Sequence, residues 1–242
     1  MATQQKSVKD KLFFKYCSAF ANLYGRLPVR DAFDIIDQHN PEKYTFDDFV
    51  SYLEAYQRRR DHCDVKPEGF FFVFDPYDTD DWPNKEIISD CYETDCYSDP
   101  SDENEYDILV HEQSGKPLYV PSKEELLKYA DDHYYARSPE LTAVIDFVLK
   151  NKVKLPFSLT AHDIAAEVGL PLIMESNATE AVQLLIKWLK VPKNTDEQVR
   201  FLSELTELVL ALSDNTRMWF LRGHTPSEMS ELVVTNTICL EP

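Results

Sequence analysis

The sequence predicts a mainly α protein of the α+β class, with helical units flanking a small antiparallel β insertion. Three observations lead there. Apolar side chains recur at helical spacing on both sides of a single β-rich window, capping signatures open most of the periodic stretches, and acidic charge is concentrated in that window. The predicted units are residues 1–62 (helical), 63–121 (β insertion with an acidic loop over 75–107) and 122–242 (helical).

The first helix is predicted over 7–24, where Val8, Leu12, Tyr16, Ala19, Phe20 and Leu23 share helical spacing and Gly25 follows as a stop. Pro28 suits the first turn of a second helix running through Ile36. Thr45 stands three residues before Asp48, which opens a third helix to about Tyr56 with Arg58, Arg59 and Arg60 at its dipole-favoured end. At Pro67 the character changes. Phe70–Phe74 is aromatic and β-branched and reads as a strand, and Tyr106–Val110 with Leu118–Val120 reads as a hairpin turning at Ser114-Gly115. Helices resume at Ser122, to about His133, and at Ser138-Pro139, through Leu149. Thr160 with Asp163 starts another, ending near Gly169, and Glu180–Leu189 and Asp196–Leu212 are amphipathic. Thr225-Pro226-Ser227-Glu228 caps a final helix, and no repeat is evident at periods of about 20 to 50 residues.

With 242 residues, 43% hydrophobic and carrying 14 Phe, 13 Tyr and 3 Trp, the chain can bury a sizeable core. Its 43 acids against 25 bases give a net charge of −18. Affinity for nucleic acids and anionic membranes comes mainly from clustered Lys and Arg, so this balance argues against both as direct partners and favours a basic protein surface. Oligomeric state is left open. The opening MATQQKSVKDKL has no apolar stretch suited to a signal peptide, and no apolar run approaches the roughly 20 residues that cross a bilayer. The five cysteines (17, 63, 91, 96 and 239) form no CxxC pair and read as reduced thiols. A cytoplasmic location is expected.

Several chemistries lack their residues. The five glycines stand singly, so no GxGxxG or Walker-type loop can cradle a phosphate. GxSxG, SxxK and HExxH are absent, and no histidine has a Glu three residues before it. No catalytic residue, cofactor or metal ligand is therefore assigned.

The strongest anomaly is Asp75 to Asp107, with thirteen acids against Lys85 alone. Within it Asp75, Asp78, Asp80 and Asp81 form DxxDxDD directly after the first predicted strand, where carboxylates could face a hard cation. The EF-hand spacing fails: Pro83 and Ser89 stand where Gly and Glu are needed, so a solvated acidic loop is the simpler reading. His62-Cys63 and Cys91…Cys96 lack the second close pair of a zinc site. Thr160–Leu189 has a helix-turn-helix look, but its predicted interhelical segment, Gly169–Asn177, is long for a tight turn, and the second helix offers Glu180 with only Lys187 and Lys190. Two packed structural helices fit better. Trp219 with His224 is the most distinctive cluster: an exposed Trp would be a binding anchor, and a helix, a glycine C-cap and a second capped helix over a packed Trp219 explain the same residues.

The segment Asn215-Thr216-Arg217-Met218-Trp219 through Gly223-His224-Thr225-Pro226-Ser227-Glu228-Met229 resembles a pattern in uncharacterised bacterial proteins, some of which end in a SEC-C zinc-binding tail. Leu23-Tyr24-Gly25-Arg26-Leu27 and Tyr119-Val120-Pro121-Ser122-Lys123-Glu124-Glu125-Leu126 resemble the same group, together about a third of the chain. The sequence ends at Pro242 with only Cys239 nearby, so the resemblance implies a bacterial, non-secreted origin and carries over neither zinc nor an activity.

The expected function is a non-enzymatic interaction or regulatory protein acting through its acidic surface, with Asp75, Asp78, Asp80, Asp81, Asp99, Asp102, Glu103, Glu105, Trp219 and His224 as partner-binding candidates. Two rivals stand beside it. One is an inhibitor that mimics DNA with ordered carboxylates and occupies a nucleic-acid-binding protein. The other is a metal-dependent hydrolase built on the Asp75–Asp81 cluster.

Overall fold

The computed structural model describes residues 7–61, 71–78, 81–93, 104–131, 134–153 and 158–238. Helices dominate, with one three-stranded antiparallel sheet, as the α+β expectation requires. The chain packs as two compact units: Met1–Ser114 with Tyr119–Tyr134, and Gly115–Leu118 with Tyr135–Pro242.

The first unit is built around α1 (Val8–Tyr24), which buries Phe13, Tyr16, Cys17, Phe20, Leu23 and Tyr24. A reciprocal capping box starts it, Asp10 N–H donating to Ser7 Oγ (3.0 Å) and Ser7 N–H to Asp10 Oδ2 (3.4 Å), which satisfies two otherwise orphaned amides. Gly25, at φ +72°, ends it in a backbone conformation that a side chain would strain. The next residues, Arg26–Pro28, form a strand, β1, that the sequence reading missed, and α2 (Val29–His39) follows with Pro28 as its cap. Thr45 and Asp48 box the start of α3 (Phe46–Asp61). Aromatic rings fill the space between these helices. Phe13 lies 5.0 Å from Tyr44 and 5.2 Å from Phe49, ring edge against ring face, and 5.6 Å from the tilted ring of Tyr52.

The sheet corrects the expected one. Its order is β1-β3-β2, with β2 at Phe71–Phe74 and β3 at Glu86–Ser89 in the centre. Leu27 pairs with Ile87, and Val73 pairs with Ile87 from the other side. Only the Phe70–Phe74 prediction survives, as β2; Phe70 itself lies outside the described residues. Tyr106–Val110 is not a strand but part of a helix, α4 (Glu105–Gln113), opened by Asn104, whose Oδ1 accepts from Asp107 N–H at 2.9 Å. Tyr106, Leu109 and Gln113 are its buried positions, a spacing of three to four that overrides the β-branched look of the segment. Leu118–Val120 forms no strand, and Gly115, at φ +71°, closes the turn after α4 rather than a hairpin. Ser122 caps only a short α5 (Lys123–Leu126), which tightens into a 3₁₀ turn at Leu127–Ala130; His133 lies outside the described residues. Tyr24 Oη–H donates to Tyr119 O, and Asn22 Nδ2–H to Tyr129 O, each at 2.8 Å, which ties this stretch to α1.

The second unit has one apolar core shared by α6 (Pro139–Asn151), α7 (Ala161–Glu175), α8 (Ala178–Ile186) and α9 (Thr195–Asp214). Val144, Ile164, Val168, Leu185, Leu205 and Val209 are fully buried within it. Helix α7 does not stop near Gly169. It continues through Gly169 and Pro171 and ends at Ser176 in the left-handed region (φ +54°); the Tyr135 ring, 3.0 Å from where a Cβ at 169 would stand, explains the glycine there. The link to α8 is therefore Ser176-Asn177 alone. An antiparallel bridge, Lys152↔Leu189, ties the segment after α6 to the segment after α8. A 3₁₀ turn at Trp219–Leu221 and α10 (Pro226–Ile238) complete the unit. Among the described residues no helix is long and apolar enough to cross a membrane.

Candidate functional site

The acids after β2 do unequal things. Asp75 is half-buried and its Oδ2 stands 3.5 Å from Nζ of Lys85, which is itself 8% exposed and sits 4.7 Å from the Trp82 ring centroid. Asp78 is exposed with φ +49°, and Asp81 is exposed and accepts from Asn84 Nδ2–H at 2.7 Å. Tyr77, 69% exposed, stands among them. Asp80, Asp99, Asp102 and Glu103 lie outside the described residues. Among the described residues no group of three His, Cys, Asp or Glu side chains is placed to hold a metal ion.

Glu86, inside the acidic stretch, is buried in the centre of the sheet. The Arg26 guanidinium takes its carboxylate bidentately, Nε–H donating to Oε2 at 2.7 Å and Nη2–H to Oε1. Tyr106 Oη–H donates to the same Oε2 at 3.0 Å, Arg26 Nη1–H donates to Gln113 Oε1 at 3.2 Å, and Gln113 Nε2–H donates to Tyr24 O at 2.8 Å. Burial opposes the Arg26 charge, and the Glu86 carboxylate with the Tyr106 hydroxyl more than offsets it, raising its hold on the proton. Tyr106 and Gln113 both belong to α4, so this buried clasp fixes that helix against β1 and β3. Arg60 is committed in the same way: it bridges Glu93 (2.6 Å) and the carbonyl of Phe71 (2.7 Å) while lying 5.2 Å from the Phe72 ring centroid.

With its inner residues locked, α4 exposes Glu105, Asp107, Ile108, His111 and Glu112. Ile108 is 40% exposed, an apolar side chain in an acidic row. The Tyr106 ring packs edge-on to Phe74 at 5.6 Å, which places the start of α4 beside the end of β2, where the acidic loop begins. Glu105 was legible as a candidate. Asp107, Ile108 and Glu112 are missed because the segment reads as one strand of a hairpin; Asn104 ahead of an apolar spacing of three to four is the available signal.

In the second unit Trp219 is 4% exposed and His224 is 9% exposed, so both belong to its packing. Arg222 (φ +50°) and Gly223 (φ +82°) reverse the chain, and Met218 N–H donates to His224 O at 3.1 Å. Arg217 holds Glu228 bidentately at 2.9 and 3.1 Å, and Thr225 with Glu228 boxes the start of α10. Burial pushes the Glu228 carboxyl up, but Arg217 and the Thr225 amide outweigh it and hold it below the usual range. His224 Nδ1 lies 3.4 Å from Glu228 Oε2, and burial lowers its proton affinity more than that carboxylate restores. These residues serve to turn and cap the chain.

No protein-family model, curated protein or solved structure matches the chain.

Proposed function

We propose that the chain is a non-enzymatic interaction protein whose first unit docks a basic protein surface through the acidic face of α4 and the β2–β3 connection. One observation supports this most. Asp75, Glu86 and Glu93 are ion-paired with Lys85, Arg26 and Arg60 inside the unit, and Asp78, Asp81, Glu105, Asp107 and Glu112 are exposed, as are Tyr77 and Ile108. Exposed carboxylates interleaved with single apolar or aromatic side chains suit a polar, salt-sensitive contact. A cytoplasmic setting belongs to the same proposal. The described cysteines, buried Cys17 and exposed Cys91, are free thiols, the state a reducing compartment maintains. The resemblance to SEC-C-related bacterial proteins adds a bacterial origin to the proposal and no activity.

The test is titration calorimetry against a lysine-rich peptide at several salt concentrations, with the wild type and a Glu105→Gln/Asp107→Asn/Glu112→Gln variant. Affinity should fall steeply with salt, since charges in water are screened beyond about 8 Å at physiological ionic strength. The variant should bind at least about tenfold more weakly with unchanged circular dichroism, because exposed carboxylates contribute little to stability. Equal affinity in the two proteins would remove α4 from the contact.

A further inference from the structure

The net charge of −18 averages two unlike units. The first carries 29 acids against 14 Lys and Arg, and the second 14 against 11, so nearly all the excess lies in the first. The bases of the second unit are also gathered. Residues 147–162 contain no acid and carry Lys150, Lys152 and Lys154; residues 181–195 contain no acid and carry Lys187, Lys190 and Lys193. Lys154 lies outside the described residues and nothing below depends on it.

The fold joins these two stretches. Lys152 is bridged to Leu189, Val153 N–H donates to Trp188 O at 2.8 Å, and Lys190 N–H donates to Asn151 O at 2.9 Å. The opposed pairs, Lys152 with Leu189 and Asn151 with Lys190, lie about 5 Å apart, which sets the backbone carrying Lys150 and Lys152 beside that carrying Lys187 and Lys190. All four are exposed, as is Lys193. The flanking acids, Asp146, Asp163, Glu180 and Asp196, form no ion pair with them among the described residues. Four exposed ammonium groups, carried by adjoining backbone at one end of α6 and α8, repel one another until an anion with repeated charge relieves them.

The surroundings select the kind of polyanion. Helix α8 follows α7 after a two-residue turn and exposes Thr179, Gln183 and Lys187, spaced by four and so on one side. Two of these are uncharged hydrogen-bonding side chains, and the lysines lie at the far end of the same helix. Glu180 is half-buried at the near end, where it accepts from Asn177 Nδ2–H at 3.2 Å. A membrane surface would call for exposed large apolar side chains beside the lysines, and a protein partner for an apolar contact centre. Among the described residues, the strongly exposed apolar side chains of this unit, Leu170, Val199, Leu210 and Leu232, lie outside both lysine stretches. From this arrangement we propose that the lysine-lined end of α6 and α8 binds the phosphate backbone of a nucleic acid. The composition-based expectation against nucleic acid is a statement about the average charge; phosphate affinity follows the local cluster.

The test is fluorescence anisotropy of a labelled 20-base-pair DNA duplex, and separately of an RNA duplex of equal length, with full-length protein between 50 and 200 mM salt. Saturable binding of either supports the proposal and names the polymer, with log K falling against log salt at a slope of about −3.6 if the four lysines each meet a phosphate. A Lys152→Glu/Lys187→Glu/Lys190→Glu variant should bind at least about 100-fold more weakly. A Lys11→Glu/Lys15→Glu variant, altered at exposed lysines of α1, should bind as the wild type does. Circular dichroism and melting of the triple variant separate lost contact from lost fold; if it fails to fold, Lys152→Gln/Lys190→Gln takes its place. The proposal is overturned if neither duplex binds at 50 mM salt, if the variants lose affinity alike, or if polyglutamate or phosphatidylserine vesicles bind more tightly than the duplexes in a lysine-dependent way.

Discussion

Replacing Glu86 by Leu should be among the most damaging single changes in the first unit. The side chain of Glu86 is 6% exposed and that of Arg26 14%, so the change leaves a guanidinium out of water with Gln113 Oε1 as its remaining partner in the clasp. Breaking a buried pair from one side costs about 3–5 kcal/mol, because an uncompensated charge stays behind. With a urea slope near 2 kcal/mol/M, the midpoint should fall by about 1.5–2.5 M. Arg26→Met should cost a similar amount, leaving the carboxylate with the Tyr106 hydroxyl. The Arg26→Met/Glu86→Leu double variant should recover to within about 1–2 kcal/mol of the wild type, since a buried ion pair and a packed apolar pair are of comparable worth. Urea unfolding followed by far-ultraviolet circular dichroism at pH 7 measures all four corners of the cycle. A Glu86→Leu penalty below about 1 kcal/mol, or a double variant no better than the worse single, would refute the view that burial of charge governs this clasp.

Three further outcomes can be checked on the same instruments. Gly25→Ala should destabilise by at least about 1 kcal/mol, because φ is +72° there, a region a side chain disfavours; a neutral result in thermal melting would mean the turn adapts. Thr225→Ala should cost about 1 kcal/mol by opening the capping box of α10, and Thr225→Ser should restore most of it. Stability should fall as pH drops below 6.5: His39, between Tyr16 Oη and Pro121 O and near Lys123 and Glu124, and His224 both have lowered proton affinity when folded, with burial the main cause. The unfolded chain then binds the extra protons, so each histidine contributes at most about 1.4 kcal/mol per pH unit. A His39→Gln variant should show a shallower acid limb, and an unchanged slope would contradict this account.

Local chemistry was legible at most helix starts whose signal and partner lay within four residues, Asn104 with Asp107 being the exception. Thr45 with Asp48, Ser138 before Pro139, Thr160 with Asp163 and Thr225 with Glu228 all open helices as read. What the sequence concealed depends on distant partners. Arg26–Pro28 is too short and proline-bearing to announce a strand, and Glu86-Ile87-Ile88-Ser89 is hidden in an acidic stretch. Each becomes a strand because the other pairs with it across some sixty residues. Gly169 and Pro171 carry ordinary stop signals, and only the Tyr135 ring against Gly169 shows why the helix tolerates the glycine. The α4 face was hidden for a local reason, since it needed the helical period, and the lysine-lined end for a distant one, since two stretches nearly forty residues apart had to be bridged.

The four residues Gly115–Leu118 belong to the second unit, although the sixteen that follow them return to the first. Lys116 donates from Nζ to Phe220 O at 3.1 Å and accepts at its carbonyl from Arg222 at 3.0 Å, partners 104 and 106 residues further along the chain. Residues are added during synthesis at about 5–20 per second, so Lys116 emerges roughly 5 to 20 seconds before the carbonyl it will hold. The first unit has its last residue, Tyr134, well within that interval. The acidic unit is therefore complete in sequence while one short stretch of the second still waits for its partners, and because the spans 1–134 and 115–242 overlap, one cut in the gene cannot separate the two units with both intact.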